Sequence, residues 1–155
     1  RSSETPLQIA AFDNMVYWST IGDDGVTGSL FSYSLDKGET TQMMSGFDFN
    51  AGFMVDDGRI MWADSSQRAI MKMDRSGGEI EIVAPRQYAI GDIAQSRFDL
   101  YFSSKADNTV QRLTKNGELQ EVIAIGQQDP GEIMVTEDRV FWFNESNGTI
   151  MYLPL

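Results

Sequence analysis

One pattern recurs through this chain at a step of forty residues, and that step limits the folds open to it more than any other feature. Leu30, Ile70, Val110 and Ile150 are spaced by forty throughout, and so are Tyr33, Met73, Leu113 and Leu153. Phe53, Ile93 and Ile133 keep the same step, as do Trp62, Phe102 and Trp142. Trp18 lies 44 residues before Trp62, so the first copy carries four extra residues within "STIGDDGVTGS". A repeat of this length is one supersecondary unit. It cannot bury its apolar face alone and must stack on its neighbours.

Each copy holds short apolar runs separated by turn residues. In the second copy these runs are "GFMVD", "RIMWAD", "AIMKMD" and "EIEIV", joined by "DG", "SSQR" and "RSGG". Asp57-Gly58 reads as a two-residue hairpin turn in which Gly takes a positive φ, and Gly77, Gly78 and Gly117 serve the next turn in the same way. Loops this short predict an antiparallel meander, and helical periodicity is absent. "SLFSYSL", "AIMKM" and "TIMYL" carry apolar groups on both faces. A sandwich strand wets one face, whereas sheets stacked side by side bury both. The predicted fold is therefore all-β: a β-propeller of four-stranded antiparallel blades in a single segment, 1–155, with repeats at about 7–44, 50–84, 90–125 and 130–155.

The last copy stops after its third strand, and Arg1–Pro6 is too short and polar to be read as a closing strand. An unclosed stack exposes apolar faces on its first and last blades. Three arrangements follow: part of a larger propeller, completion by another copy or chain, or a small four-bladed ring. The first two are favoured. "RSSETPLQ" has neither Met nor an apolar leader, which reads as a cut or processed start.

Composition removes several functions. With 23 acidic against 12 basic residues the formal charge is −11, and no basic stripe is present, so nucleic acid is not expected as a partner and anionic membrane surfaces are disfavoured. No apolar run is long enough to cross a membrane as a helix. The chain has no Cys and no His. Disulfides, Cys/His zinc sites, thiol nucleophiles and Ser-His-Asp chemistry are ruled out within it.

The aromatic strands "VYWST", "IMWAD", "LYFSS" and "VFWFN", with the flanking "PGEIMVTEDRVFWF" and "AIMKMDRSGGE", resemble the Tyr-Trp-Thr-Asp strand and its surroundings in YWTD propellers of low-density-lipoprotein-receptor-like ectodomains. The likeness runs from about Leu7 to Leu153. Thr is replaced by Ser19, Ala63, Ser103 and Phe143, and Asp is kept only as Asp64. The resemblance implies a six-bladed fold completed by further blades. It also implies a non-catalytic, protein-binding role outside the cytoplasm, extracellular or periplasmic, with ligands met by loops on one face.

Residues that break the repeat at that face are the candidate partner-binding set: Asp23 and Asp24 in the insertion, and Phe47, Asp48 and Phe49 before the second copy. A loop aromatic can anchor a partner. The competing role for Phe49, packing inward over the core, is preferred. Asp23 and Asp24 could hold Ca²⁺, although Asp-Asp-Gly is ordinary turn chemistry, and no cofactor is expected. Asp92 and Glu132 share one repeat position, at the start of the first strand of each copy, where Gln8 and Gly52 stand in the others. Carboxylates ringing a channel mouth there give the alternative function, an enzyme resembling propeller lactonases with a bound cation. Asn144 and Asn147 each begin an N-glycosylation sequon in the last hairpin turn. The nine Met residues, among them Met61, Met71, Met134 and Met151, read as core filler.

Overall fold

The computed structural model describes residues 4–49 and 51–155. Its fifteen strands form four antiparallel meanders. Sheet 1 comprises β1 (Thr5–Phe12), β2 (Met15–Ile21), β3 (Gly28–Ser34) and β4 (Glu39–Phe47). Sheet 2 comprises β5 (Phe53–Val55), β6 (Arg59–Asp64), β7 (Ala69–Asp74) and β8 (Ile80–Pro85). Sheet 3 comprises β9 (Ile90–Gln95), β10 (Asp99–Ser104), β11 (Thr109–Thr114) and β12 (Gln120–Ala124). Sheet 4 has three strands, β13 (Pro130–Val135), β14 (Arg139–Asn144) and β15 (Thr149–Pro154). The described residues contain no helix, and none therefore long and apolar enough to cross a membrane.

The chain divides into two compact units, Arg1–Ile82 and Val83–Leu155, with the division inside β8. Each unit carries two of the repeats expected from the forty-residue step. Thr5 and Pro6 begin β1 and pair with Ile21 and Thr20 of their own sheet. Residues 1–3 lie outside the described part.

The register repeats from sheet to sheet. The pairs Ile9↔Trp18, Phe53↔Trp62, Ile93↔Phe102 and Ile133↔Trp142 occupy the same place in the four sheets. Such registers are tightly specified, because a one-residue slip would turn every apolar side chain to the wrong face. Each unit buries one apolar layer between its two sheets. In the first unit, Tyr17 and Leu30 of sheet 1 pack on Phe53, Ile60, Trp62 and Met71 of sheet 2. In the second, Tyr101 and Val110 of sheet 3 pack on Ile133, Val140 and Trp142 of sheet 4.

The turns use more than glycine. Gly77, Gly78 and Gly117 do adopt positive φ (88°, 131° and 80°), as their turns require. Gly58 does not. There the side chain of Asp56 makes the turn, its Oδ1 accepting the N–H groups of Gly58 and Arg59, both at 3.0 Å. Asx geometry of this kind holds a hairpin without left-handed backbone.

Trp62 is fully buried at the centre of the first unit, with Phe47 set edge-on to it at 5.6 Å and Phe49 tilted against it at 6.0 Å. Trp62→Ala should lower the unfolding free energy by about 3–5 kcal/mol in a urea titration, the range for a large aromatic removed from a packed core. A loss under about 1 kcal/mol would contradict this packing.

Candidate functional site

The partner-binding residues proposed from the sequence separate into two groups. The β2–β3 loop and the β4–β5 connection are neighbours, as expected, because Gly28 at the start of β3 pairs with Phe47 at the end of β4. Asp23 and Asp24 are exposed on that loop. Asp24 organises it: Oδ1 accepts the N–H groups of Val26 and Thr27, each at 2.9 Å, and Oδ2 accepts the Thr27 hydroxyl. The Thr27 hydroxyl, then the two N–H groups, hold the Asp24 carboxyl below its ordinary value. The loop is thus a preformed acidic turn.

Phe49 and Asp48 are not at the surface. Phe49 is 2% exposed and belongs to the core of the first unit. Asp48 is buried and its N–H donates to Asp64 Oδ2 at 3.3 Å. Phe47 is partly buried and packs on the same core. The aromatic anchor read into this connection therefore gives way to a packing role, which was already the preferred role for Phe49. The repeat explains the departure. Gln127, which aligns with Phe47, accepts the indole N–H of Trp142 at 2.8 Å. Phe47 covers Trp62 instead, and the Trp62 indole nitrogen has no hydrogen-bond partner. A break in the pattern was one kind of core contact replaced by another.

Asp92 forms a bridge between strands. Its Oδ1 accepts the N–H of Ile93 (2.8 Å) and its Oδ2 that of Ile133 (3.0 Å), linking β9 of sheet 3 to β13 of sheet 4. Its own N–H donates to Ser103 Oγ, and that hydroxyl donates to Gly131 O at 2.7 Å. Gly91 permits this approach, since a Cβ there would lie 2.7 Å from Ser103 Oγ and 2.8 Å from Pro130 O. In the first unit the matching residue does the same work: Gln8 Oε1 accepts the N–H of Phe53 at 2.7 Å. Position 8/92 is thus a clasp between successive sheets. Glu132, the next member of the series, is exposed and accepts no hydrogen bond from any described residue. The described residues hold no group of three or more His, Cys, Asp or Glu placed to share a metal ion.

Removal from water raises the carboxyl pKa of Asp92 above its ordinary value, against the pull of the Ile133 and Ile93 N–H groups and with a smaller push from the charge of Glu132.

A second buried position is the one that Asp64 holds in the aromatic motif. Asp64, Ser104 and Asn144 close the second strands of sheets 2, 3 and 4, Thr20 stands one residue before the end of β2, and all four are buried. Three of them tie a turn or a connection: Asp64 Oδ1 accepts the N–H of Gln67 (2.8 Å), Ser104 Oγ donates to Tyr88 O (3.3 Å), and Asn144 Nδ2 donates to Gln127 Oε1 (3.2 Å). The signal was a polar residue at a fixed step in each aromatic strand. Asn144 is 4% exposed, so the sequon expected there is closed by burial in the folded chain. Asn147 is exposed, its Oδ1 accepting the N–H and hydroxyl of Thr149. Met134 and Met151, expected in the core, are 59% and 39% exposed on sheet 4.

No protein-family model matches the sequence, and no curated protein matches it. Solved structures do. The chain is similar to one in the crystal structure of a nidogen/laminin complex, with TM-score 0.67 and 15% identity over 98% of this chain and 76% of that one. It is similar to the computationally designed Ika4 protein, with TM-score 0.77 and 14% identity over 100% of this chain and 92% of that one. BamB from Moraxella catarrhalis matches with TM-score 0.71 and 12% identity over 96% of this chain and 42% of that one. The chain thus spans under half the length of BamB. At these identities the likeness concerns the fold, which is a β-propeller.

Two measurements test this site. Thr27→Val should raise the Asp24 pKa towards the ordinary carboxylate value in a carboxyl NMR titration; an unmoved titration would refute the hydroxyl contact. For Asp92, a raised native pKa means that the folded state binds the proton more tightly than the unfolded chain. Its contribution is therefore fully present below the unfolded pKa and is lost as pH rises through the native one. Between about pH 3 and 7, which spans the ordinary carboxylate value, wild-type stability should fall relative to Asp92→Asn as pH rises. A constant gap in urea melts would show the shift to be absent.

Proposed function

We propose that the chain is a non-catalytic protein-binding propeller module, of the YWTD type and acting outside the cytoplasm, that meets its partner with the loops at one end of its sheets. The observation that carries this reading is the pre-set backbone at that end. In the second unit, all four non-glycine residues with positive φ, Arg86, Ala89, Asn108 and Asp129, lie in the connections before β9 and β13 or in the β10–β11 turn. Such conformations cost free energy and persist where surrounding bonds hold them, a common property of recognition loops. The bonds are in place: Lys105 N–H donates to Ala89 O at 2.9 Å, Gln127 N–H to Asn108 O at 2.9 Å, and Glu145 N–H to Asp129 O at 3.0 Å. Tyr88 is exposed between Arg86 and Ala89. Tyr is well suited to interfaces, offering a large contact area at small entropic cost. In the first unit the acidic turn at Asp23 and Asp24 is the corresponding rigid element, and it suits a cationic partner surface.

The lactonase-like alternative has weaker support. It requires Asp92 and Glu132 to hold a cation, yet both carboxylate oxygens of Asp92 accept backbone N–H groups. The buried polar position of Asp64 in the second aromatic strand supports the YWTD likeness, with Ser104 and Asn144 standing in for Asp elsewhere.

Photo-crosslinking residues installed at positions 23 and 88, with controls at 57 and 97 in turns at the opposite end, test this function in the natural host. In the first unit adducts are expected from 23 but not 57, and in the second from 88 but not 97. Adducts from the controls alone, or none from 23 and 88, would overturn the loop-end reading.

A further inference from the structure

Each unit contains one junction between successive sheets, and the two junctions are built alike. On one side stands the face carrying Tyr17 and Leu30 in sheet 1, or Tyr101 and Val110 in sheet 3. On the other stands the opposite type of face, carrying Phe53, Ile60 and Trp62 in sheet 2, or Ile133, Val140 and Trp142 in sheet 4. One side-chain acceptor crosses each junction to a backbone N–H, from Gln8 to Phe53 and from Asp92 to Ile133.

The repeat places one unused half of this junction on sheet 4 and the other on sheet 1. On sheet 4, Phe141 and Ile150 match Tyr101 and Val110. They lie on the face turned away from Val140, Trp142 and Leu153, because side chains alternate along a strand. The register sets Met134 beside Phe141, Phe141 beside Tyr152, and Phe143 beside Ile150. Val110 is fully buried, whereas its counterpart Ile150 is 72% exposed and Tyr152 57%. At the clasp position of this face stands Glu132, with no donor bonded to it. On sheet 1, Ile9, Val16 and Trp18 match Phe53, Ile60 and Trp62. Ile9 is 71% exposed where Phe53 is buried, and Trp18 stacks only on Phe31 of its own sheet among the described aromatic pairs. The backbone N–H of Ile9 holds the place of the donors on Phe53 and Ile133.

We propose that sheet 4 of this chain is a docking face for sheet 1 of a second copy, head to tail, with the Glu132 carboxylate accepting the N–H of Ile9 across the interface. The two exposed faces are complementary halves of a junction that the chain already makes twice. A third partner chemistry is therefore not needed to cover them. The contact is heterologous, so each copy keeps one face available for the next, and assembly proceeds until the chain of copies closes. Each copy carries −11 formal charges, so added salt should strengthen association by screening repulsion. The interface forms independently of whether the loop end binds a partner.

Sedimentation velocity of the 155-residue chain over a concentration series tests this, with circular dichroism confirming the fold of each variant. The wild type should assemble as concentration rises. Ile9→Asp and Ile150→Asp, both at exposed positions, should each be monomeric alone. Mixed, they should form a heterodimer, because one supplies an intact sheet 4 and the other an intact sheet 1. Glu132→Gln, which copies Gln8, should retain assembly, while Glu132→Ala should weaken it about tenfold, the worth of one such hydrogen bond. A wild type that stays monomeric at every concentration overturns the proposal, whether loops or a closed single chain cover the faces. So does an Ile9→Asp protein that still self-associates, which would indicate a sheet 4 to sheet 4 contact, and so does a mixture that remains monomeric. If one aspartate variant fails to fold, Trp18→Glu or Tyr152→Asp replaces it on the same face.

Discussion

The structure depends on the burial of an apolar layer between the two sheets of each unit. A three- or six-residue strand such as β5 or β6 has too little area on one side to be stable alone. Within each unit the partner sheet supplies that area: Ile133, Val140 and Trp142 of sheet 4 pack on Tyr101 and Val110 of sheet 3, while Met134 and Phe141 turn the other way. The polar groups at the junctions follow from this. Where two first strands run side by side, a backbone N–H is removed from water and needs an acceptor, and Gln8 and Asp92 supply it. Gln8 does so without charge; Asp92 does so with a carboxylate whose burial raises its pKa.

That constraint divides the residues of interest by the direction they face. Side chains at the sheet ends either enter the junctions, as Phe49 and Asp48 do, or stay on the turns, as Asp23, Asp24 and Tyr88 do. Only the second group is available to a partner. Its turns are held by hydrogen bonds that Asp24, Asn108 and Ala89 accept, so a partner would meet a surface that loses little freedom on binding. The proposed recognition by loops and the proposed association of open sheet faces would use separate surfaces.

Several features were readable from residues alone for simple physical reasons. The pairing of Phe53 with Trp62, and of Ile133 with Trp142, follows from equal spacing and short turns, which leave one register for a meander. The positive φ of Gly77 and Gly117 follows from turn geometry. Gly58 was misread because Asp56, one residue outside the supposed turn, makes the bonds that hold it. Phe47 and Phe49 looked functional because they break the repeat, and a linear alignment does not reveal that Trp62 lies beneath both. Asn144 carries a sequon that only its depth in the sheet closes.

The amino-acid order by itself determined the all-β meander, its forty-residue unit and its two-faced strands. Those depend on local spacing, turn chemistry and the alternation of side chains. Only the tertiary structure decided that Asp92 is a clasp, that Phe49 and Asn144 lie inside, and that Glu132 and Ile150 remain uncovered. These outcomes turn on which residues of neighbouring sheets approach within hydrogen-bonding or van der Waals distance, and residues forty positions apart acquire that relation only when the sheets stack.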